Sequence, residues 1–121
     1  DQLDEHCEQL FSQERPLEAF IDNYLSQWHQ TSPHEGCPLT TMCPELGLRG
    51  QQSPTTDAVL GARLKQVQSA LGRPDANEQG LLMMSTLVGA LVLARSVESA
   101  ELAAQILEVV SGNLKKQIAQ N

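Results

Sequence analysis

The stretch from Leu81 to Ala94 is the feature that most restricts how this chain can fold. Its composition favours a helix, and only Ser85 and Thr86 interrupt an otherwise apolar surface. A helix without a polar face must be covered on both sides. Because a domain of 121 residues has few other elements to cover it, we expect a second copy of the chain to help. The alternative is that the helix simply fills a monomeric core.

The composition of the chain predicts an all-α fold. Apolar residues make up 40% of the sequence and aromatic residues only 3%. Leu and Ala favour helices, whereas β-branched and aromatic residues are typical of strands. We therefore predict an antiparallel bundle of about five to six helices, forming a single domain over residues 1–121.

Apolar periodicity places the first helices. One helix ends near Ser12, and a second opens at Pro16 and carries an apolar stripe as far as Trp28. Over residues 37–47, Pro44 leaves two alternatives open, since proline disrupts a helix interior. The helix either starts at this proline or bends there.

Polar caps mark where the last three helices begin. Each cap would accept a hydrogen bond from backbone N–H groups of the first turn. The predicted caps are Ser53 followed by Pro54, Asp75 in a capping box with Glu78, and Ser99. The first of these helices should end at Gly72, because glycine adopts a left-handed conformation without strain. The second should end near Arg95.

The charge balance and the motifs exclude several function classes. Fifteen acidic residues face eight basic ones, for a net charge of -7, and the longest basic run is Lys115-Lys116. A nucleic-acid surface needs clustered cations, so we expect DNA to repel this chain. The sequence contains no Gly-rich phosphate loop, no H-E-x-x-H and no G-x-S-x-G. We therefore expect neither enzyme activity nor a cofactor.

The number of cysteines and the hydropathy of the chain indicate where in the cell the protein is expected. The three cysteines are an odd number and accompany no signal peptide in the sequence, which argues against a disulfide framework. The apolar run from Leu81 to Ala94 is too short to cross a bilayer. We therefore expect a cytoplasmic protein that does not bind membranes.

Two sequence elements resemble the C-terminal domain of the TetR family of transcriptional regulators. The first is Tyr24-Leu25-Ser26 with His29 and then Gly36-Cys37-Pro38-Leu39, and the second is the run from Leu87 to Arg95. The similarity extends from about Pro16 to the end of the chain. It implies a homodimer in which the last two helices of each subunit form a four-helix bundle, with a small-molecule pocket inside the preceding helices.

The resemblance also implies a function for a longer parent protein. In this family an N-terminal helix-turn-helix domain reads operator DNA, and an effector releases the repressor. Residues 1–15 do not match that domain. We therefore expect the chain to sense a mostly hydrophobic effector and to dimerise, with operator DNA contacted only through a domain before Asp1.

Two sets of site residues follow from the resemblance. An apolar pocket with adaptable contacts and a few polar handles would be lined by Phe11, Phe20, Tyr24, Trp28, Thr41, Met42, Leu64, Val67, Met83 and Leu87. The same spacing is equally compatible with an ordinary filled core. The dimer interface would contain Val88, Leu91, Val92, Arg95, Leu102, Ile106, Val109, Val110 and Leu114. Arg95 would pair with Glu98 or Glu101, or would complement the C-terminus of its own helix.

An alternative function uses the chemistry of histidine and cysteine. His34, Cys37 and Cys43 lie close together in the sequence and could form a metal- or thiol-based sensor. With His29 they make the pattern H-x4-H-x2-C-x5-C, which matches none of the common structural zinc sites. Neither cysteine has a neighbouring Lys or Arg in the sequence to lower the pKa of its thiol. We therefore predict no metal site.

Overall fold

The described residues are 84% helical and contain no strand. The computed structural model describes residues 15–26, 29–30 and 38–119, without the side chains of Thr41 and Met42. Five helices follow one another: α1 (Pro16–Tyr24), α2 (Leu39–Arg49), α3 (Pro54–Leu71), α4 (Ala76–Ser96) and α5 (Ala100–Ala119). The predicted all-α class is confirmed. The helix predicted to end near Ser12 lies outside the described residues.

Helix α4 is the centre of the fold, because it packs against each of the other four helices. Its inward side chains are almost completely buried: Met83, Met84, Leu87, Leu91 and Ala94. Residues 97–99 join α4 directly to α5, and the two helices pack together extensively. The chain thus covers one side of its most apolar helix with its own residues.

The remaining core comes from the apolar faces of α1, α3 and α5. In α1, Leu17, Phe20, Ile21 and Tyr24 are buried at the helical spacing seen in the sequence. Val67 of α3 and Ala103, Leu107 and Leu114 of α5 complete the same cluster. One continuous core therefore connects all the helices that flank α4.

Two of the predicted caps form as expected. The Ser53 hydroxyl accepts a hydrogen bond from the Thr56 N–H at 3.4 Å, with Pro54 at the first helical position. The Ser99 hydroxyl accepts one from the Leu102 N–H at 3.1 Å. These bonds satisfy N–H groups that have no intrahelical partner.

The capping box predicted at Asp75 is wrong. Asp75 occupies the N-cap position of α4, but its side chain accepts no capping hydrogen bond. Its carboxylate lies 2.9 Å from the Nε of Arg73. Because the ion pair holds the carboxylate towards the α3–α4 turn, it does not reach the first-turn N–H groups.

The end of α1 differs from the prediction, and the bounds of α2 exclude one of the two alternatives at Pro44. Helix α1 ends at Tyr24 instead of continuing to Trp28, which lies outside the described residues. Helix α2 does not start at Pro44 but contains this proline in its interior, as the second alternative requires. Proline has no N–H to donate to the carbonyl four residues earlier, so Pro44 cannot contribute the usual hydrogen bond of the α-helix at this position.

By length and composition, α4 is apolar enough to cross a membrane, alone among the helices in the described part of the chain. It spans 21 residues, and 39% of its most apolar window is buried inside the fold. The sequence argument considered only the shorter run from Leu81 to Ala94, which the helix extends at both ends. A core helix of a water-soluble protein has the same length and composition, so this property does not establish a membrane span.

The turn after α3 provides a test with an internal control. Gly72 ends the helix in a left-handed conformation with φ of 58°, so Gly72→Ala should destabilise the fold by roughly 1 kcal/mol. Gly61 lies inside the same helix, and a Cβ there would meet nothing within 4 Å. Gly61→Ala should therefore stabilise the fold by about 0.5–1 kcal/mol. Urea denaturation measures the change in the free energy of unfolding for each variant. A gain in stability for Gly72→Ala would contradict the left-handed turn at this residue.

Candidate functional site

Exposed large apolar side chains concentrate on the last two helices. Five of the six that the structure describes are on α4 and α5: Leu81, Leu82, Leu93, Leu102 and Val109, with 44% to 61% of each exposed. The sixth, Leu48, lies on α2. Single exposed apolar residues are ordinary on protein surfaces, but a group of them on neighbouring helices is typical of an interaction site.

The exposed residues of α4 follow one side of the helix. Leu82, Thr86, Gly89 and Leu93 are separated by intervals of four, three and four residues, which keeps them on the side opposite the buried Leu87. A Cβ at Gly89 would meet nothing within 4 Å. The middle of this side is therefore free of bulk, and another backbone could approach it closely.

Helix α5 carries a second stripe that points away from its buried side. Leu102, Gln105, Val109, Gly112 and Lys116 recur at intervals of three and four residues, and all are exposed. A Cβ at Gly112, as at Gly89, would meet nothing within 4 Å. We call these two stripes together the outer face: Leu82, Thr86, Gly89 and Leu93 of α4 with Leu102, Gln105, Val109, Gly112 and Lys116 of α5.

The residues predicted for the dimer interface divide into three groups. Leu102 and Val109 lie on the outer face, and Val88, Val92, Ile106 and Val110 are half-buried beside the core. Leu91 and Leu114 are enclosed within the subunit, with 0% and 3% of their surface exposed. These two residues were misassigned, because helical spacing alone does not distinguish the inner side of an apolar helix from its outer side.

Arg95 was also expected at the interface, but its guanidinium turns inward. Its Nη1 donates to the Thr40 hydroxyl at 2.8 Å, its Nη2 donates to the His29 carbonyl, and its Nε donates to the Gln30 carbonyl at 3.3 Å. The Gln30 side chain in turn donates to the Ala94 carbonyl at 3.3 Å. We call this group the Arg95 clasp, and it takes the place of the predicted pairing with Glu98 or Glu101.

His29 lies buried inside the clasp, where it completes the end of α1. Its Nδ1 lies 2.7 Å from the Tyr24 carbonyl, and its ring packs edge-on against the Tyr24 ring. Because a carbonyl can only accept, Nδ1 carries the proton. Burial lowers the pKa of His29 below its ordinary value of 6.5; the bond to Tyr24 acts in the opposite direction, and the charge of Arg95 lowers the pKa further.

The described part of the predicted effector pocket is packed core. Phe20, Tyr24, Val67, Met83 and Leu87 are all buried in the central cluster, and Leu64 is half-buried against it. Phe11 and Trp28 lie outside the described residues, as do the side chains of Thr41 and Met42. The alternative of an ordinary filled core therefore fits the residues that can be placed.

An open cleft of about 540 Å³ lies between α1 and the first half of α5. Its lining residues are Asp22, Leu25, Gln30, Ala100, Ala104, Leu107, Glu108 and Ser111. None of them was predicted to line a pocket: six are polar or small residues, and Leu25 and Leu107 belong to apolar stripes that indicate core positions. An ion pair of 2.6 Å between Asp22 and Lys115 joins the same two helices. Gln30 belongs to both the cleft and the Arg95 clasp.

The residues of the alternative metal or thiol sensor are mostly outside the described chain. His34 and Cys37 fall in the undescribed segment, and Cys43 is a half-buried thiol packed against the core. Within residues 15–26, 29–30 and 38–119, no group of three or more His, Cys, Asp or Glu side chains could hold a metal ion.

Comparisons with models of known protein families, with curated proteins and with solved structures each find no match to this chain.

The clasp predicts a large cost for removing one cation. Arg95→Met leaves a buried hydroxyl and two carbonyls without their charged donor, so it should destabilise the fold by about 2–4 kcal/mol. The matched control is Arg49→Met, whose exposed guanidinium lies 2.9 Å from Glu45 and should contribute less than about 0.5 kcal/mol. Chemical denaturation compares the two variants. Equal, small losses would show that the clasp does not stabilise the fold.

The lowered pKa of His29 predicts the direction of one pH dependence. The unfolded chain binds a proton on this ring near pH 6.5, whereas the folded chain binds it only at lower pH. The stability associated with neutral His29 is thus complete above pH 6.5 and is lost as the pH falls through the folded-state pKa. Urea denaturation of the wild type and His29→Gln at several pH values isolates this effect. The difference between their free energies of unfolding should shrink on acidification. A difference that grows instead would contradict a lowered pKa of His29 in the folded chain.

Proposed function

We propose that this chain is the homodimerisation and effector-sensing domain of a TetR-type transcriptional repressor. The observation that carries the proposal is the outer face, which occurs on the last two helices, where the sequence resemblance implies a dimeric four-helix bundle. Leu82, Leu93, Leu102 and Val109 would leave water when two subunits meet. Burial of apolar surface is the main favourable contribution to such association.

The small residues of the outer face suit direct helix-to-helix contact. Packed helices approach to about 8–10 Å between axes, depending on the side chains at the contact. Gly89 and Gly112 have open space where a side chain would be, so a helix of a second subunit could lie close to both. An isologous pair with two-fold symmetry is the commonest closed arrangement for identical subunits. The two helices from each subunit then make the four helices of the proposed bundle.

The Arg95 clasp supplies a physical connection between the proposed interface and the interior. It fastens the C-terminal end of α4 to Thr40 of α2 and to the backbone at His29 and Gln30. A change in the position of either segment would therefore act on the helix that carries Leu93. In a repressor, an effector would use such a connection by contacting the two conformations differently.

The effector and the DNA enter this proposal through the sequence resemblance. A mostly hydrophobic small molecule would bind the parent repressor in the cytoplasm and release it from its operator. With a net charge of -7, this domain would leave contact with DNA to a separate, positively charged region of the parent protein.

A pair of matched substitutions tests the proposed dimer. Val109→Glu places a charge in the middle of the outer face and should weaken dimerisation by about thirtyfold or more, as the loss of a central interface residue does. Leu48→Glu is the control, because Leu48 is the most exposed large apolar residue described, at 90%, and lies on α2, away from the outer face. Sedimentation equilibrium should give a dimer for the wild type and for Leu48→Glu. A monomeric wild type, or equal effects of the two substitutions, would refute the proposal.

A further inference from the structure

Charge is distributed unevenly along the outer side of α5. Glu101 lies on the exposed surface in the first turn, and Lys116 lies on the outer face in the last turn. Val109 lies midway between them on the same side of the helix. The exposed side of α5 thus has Glu101 in its first turn and Lys116 in its last, with the apolar Val109 beside the exposed Glu108 in the middle. Because Glu108 lies close to the middle of the helix in either orientation of a second α5, it does not distinguish the two orientations.

Neither terminal charge is paired with another residue of the described part of the chain. Lys115, the neighbour of Lys116, is bound to Asp22 at 2.6 Å. Among the ion pairs of the described residues, none includes Glu101 or Lys116. Both side chains therefore remain in solvent, where a partner could meet them.

We infer that each α5 contacts the α5 of a second copy in antiparallel orientation around Val109, with Glu101 of one subunit facing Lys116 of the partner subunit. This inference rests on the proposed dimer and specifies its geometry. Since the helix rises about 1.5 Å per residue, the two charges lie about 22 Å apart along each α5. An antiparallel copy centred on Val109 brings residue 101 level with residue 117, one position from Lys116.

The rest of the α5 stripe fits the same register. Gln105 comes level with Asn113 of the partner subunit, so two amide side chains that both donate and accept hydrogen bonds would meet. Gly112 lies beside this pair and leaves room for it. Leu102 comes level with Lys116 of the partner subunit, whose aliphatic stem can cover it while the ammonium reaches Glu101. The apolar Val109 packs against its own copy at the two-fold axis.

A parallel arrangement would bring like charges together. Glu101 would then face Glu101 of the partner subunit, and Lys116 would face Lys116 of the partner subunit. Exposed ion pairs contribute little to affinity, but like-charge contacts act against the wrong orientation. A charge pattern that complements itself only when reversed favours a copy of this chain over a surface without matching charges, such as an uncharged bilayer.

Charge exchange distinguishes the two orientations. In the antiparallel dimer, Glu101→Lys and Lys116→Glu each replace two attractive contacts with two repulsive ones, so each should weaken the dimer by about fivefold to tenfold at low ionic strength. The double variant Glu101→Lys/Lys116→Glu restores opposite charges at both contacts. Its dissociation constant should return to within about twofold of the wild type. High salt should reduce all these differences.

The control for net charge is Lys65→Glu, an exposed position on α3 away from the outer face, which should leave the dimer unchanged. Circular dichroism establishes that each variant is folded, and analytical ultracentrifugation measures the dissociation constants. In a parallel dimer, each single variant keeps like charges facing one another and matches the wild type. That result, or a double variant as weak as the singles, would overturn the inference while the dimer itself remained. A monomeric wild type would instead refute the proposed dimer, and with it the proposed function on which this inference rests.

Discussion

The structure depends on how the most apolar helix is shielded from water. Helix α4 packs against all four of the other described helices, and its inner residues, including Met84, Leu87 and Leu91, are almost fully buried. Even so, Leu82 and Leu93 remain exposed on its opposite side. The arrangement of α1, α2, α3 and α5 around one side of α4 is what concentrates the remaining apolar surface on the outer face.

Much of the fold was predictable because local physics determines it. The hydroxyl caps at Ser53 and Ser99 and the left-handed Gly72 depend on one residue and its nearest backbone neighbours, and all three form as predicted. The errors arise where a neighbouring side chain competes for the same group. Asp75 binds Arg73 instead of capping α4. At the end of α1, the ring of His29 bonds the Tyr24 carbonyl, and the helix stops earlier than its apolar stripe.

The candidate site was less predictable than the fold, because it depends on which side of a helix faces inward. Leu91 and Val109 both belong to apolar repeats, yet one is wholly buried and the other is 61% exposed. Only the packing of the other helices separates them. Arg95 illustrates the same limit, since its acceptors at Thr40 and His29 lie more than fifty positions away in the sequence. For Gln30, likewise, no local pattern indicated a position in both the cleft and the clasp.

The Arg95 clasp has a consequence for how this fold could vary. A guanidinium keeps its charge throughout the physiological pH range, so its grip on the two carbonyls does not titrate, whereas the imidazole enclosed beside it does. The clasp thus combines a permanently charged guanidinium with a neighbouring imidazole that can be protonated. Substitutions on the outer face, or in the cleft at positions other than Gln30, leave these contacts in place, whereas the loss of Arg95 would loosen three segments of the chain at once.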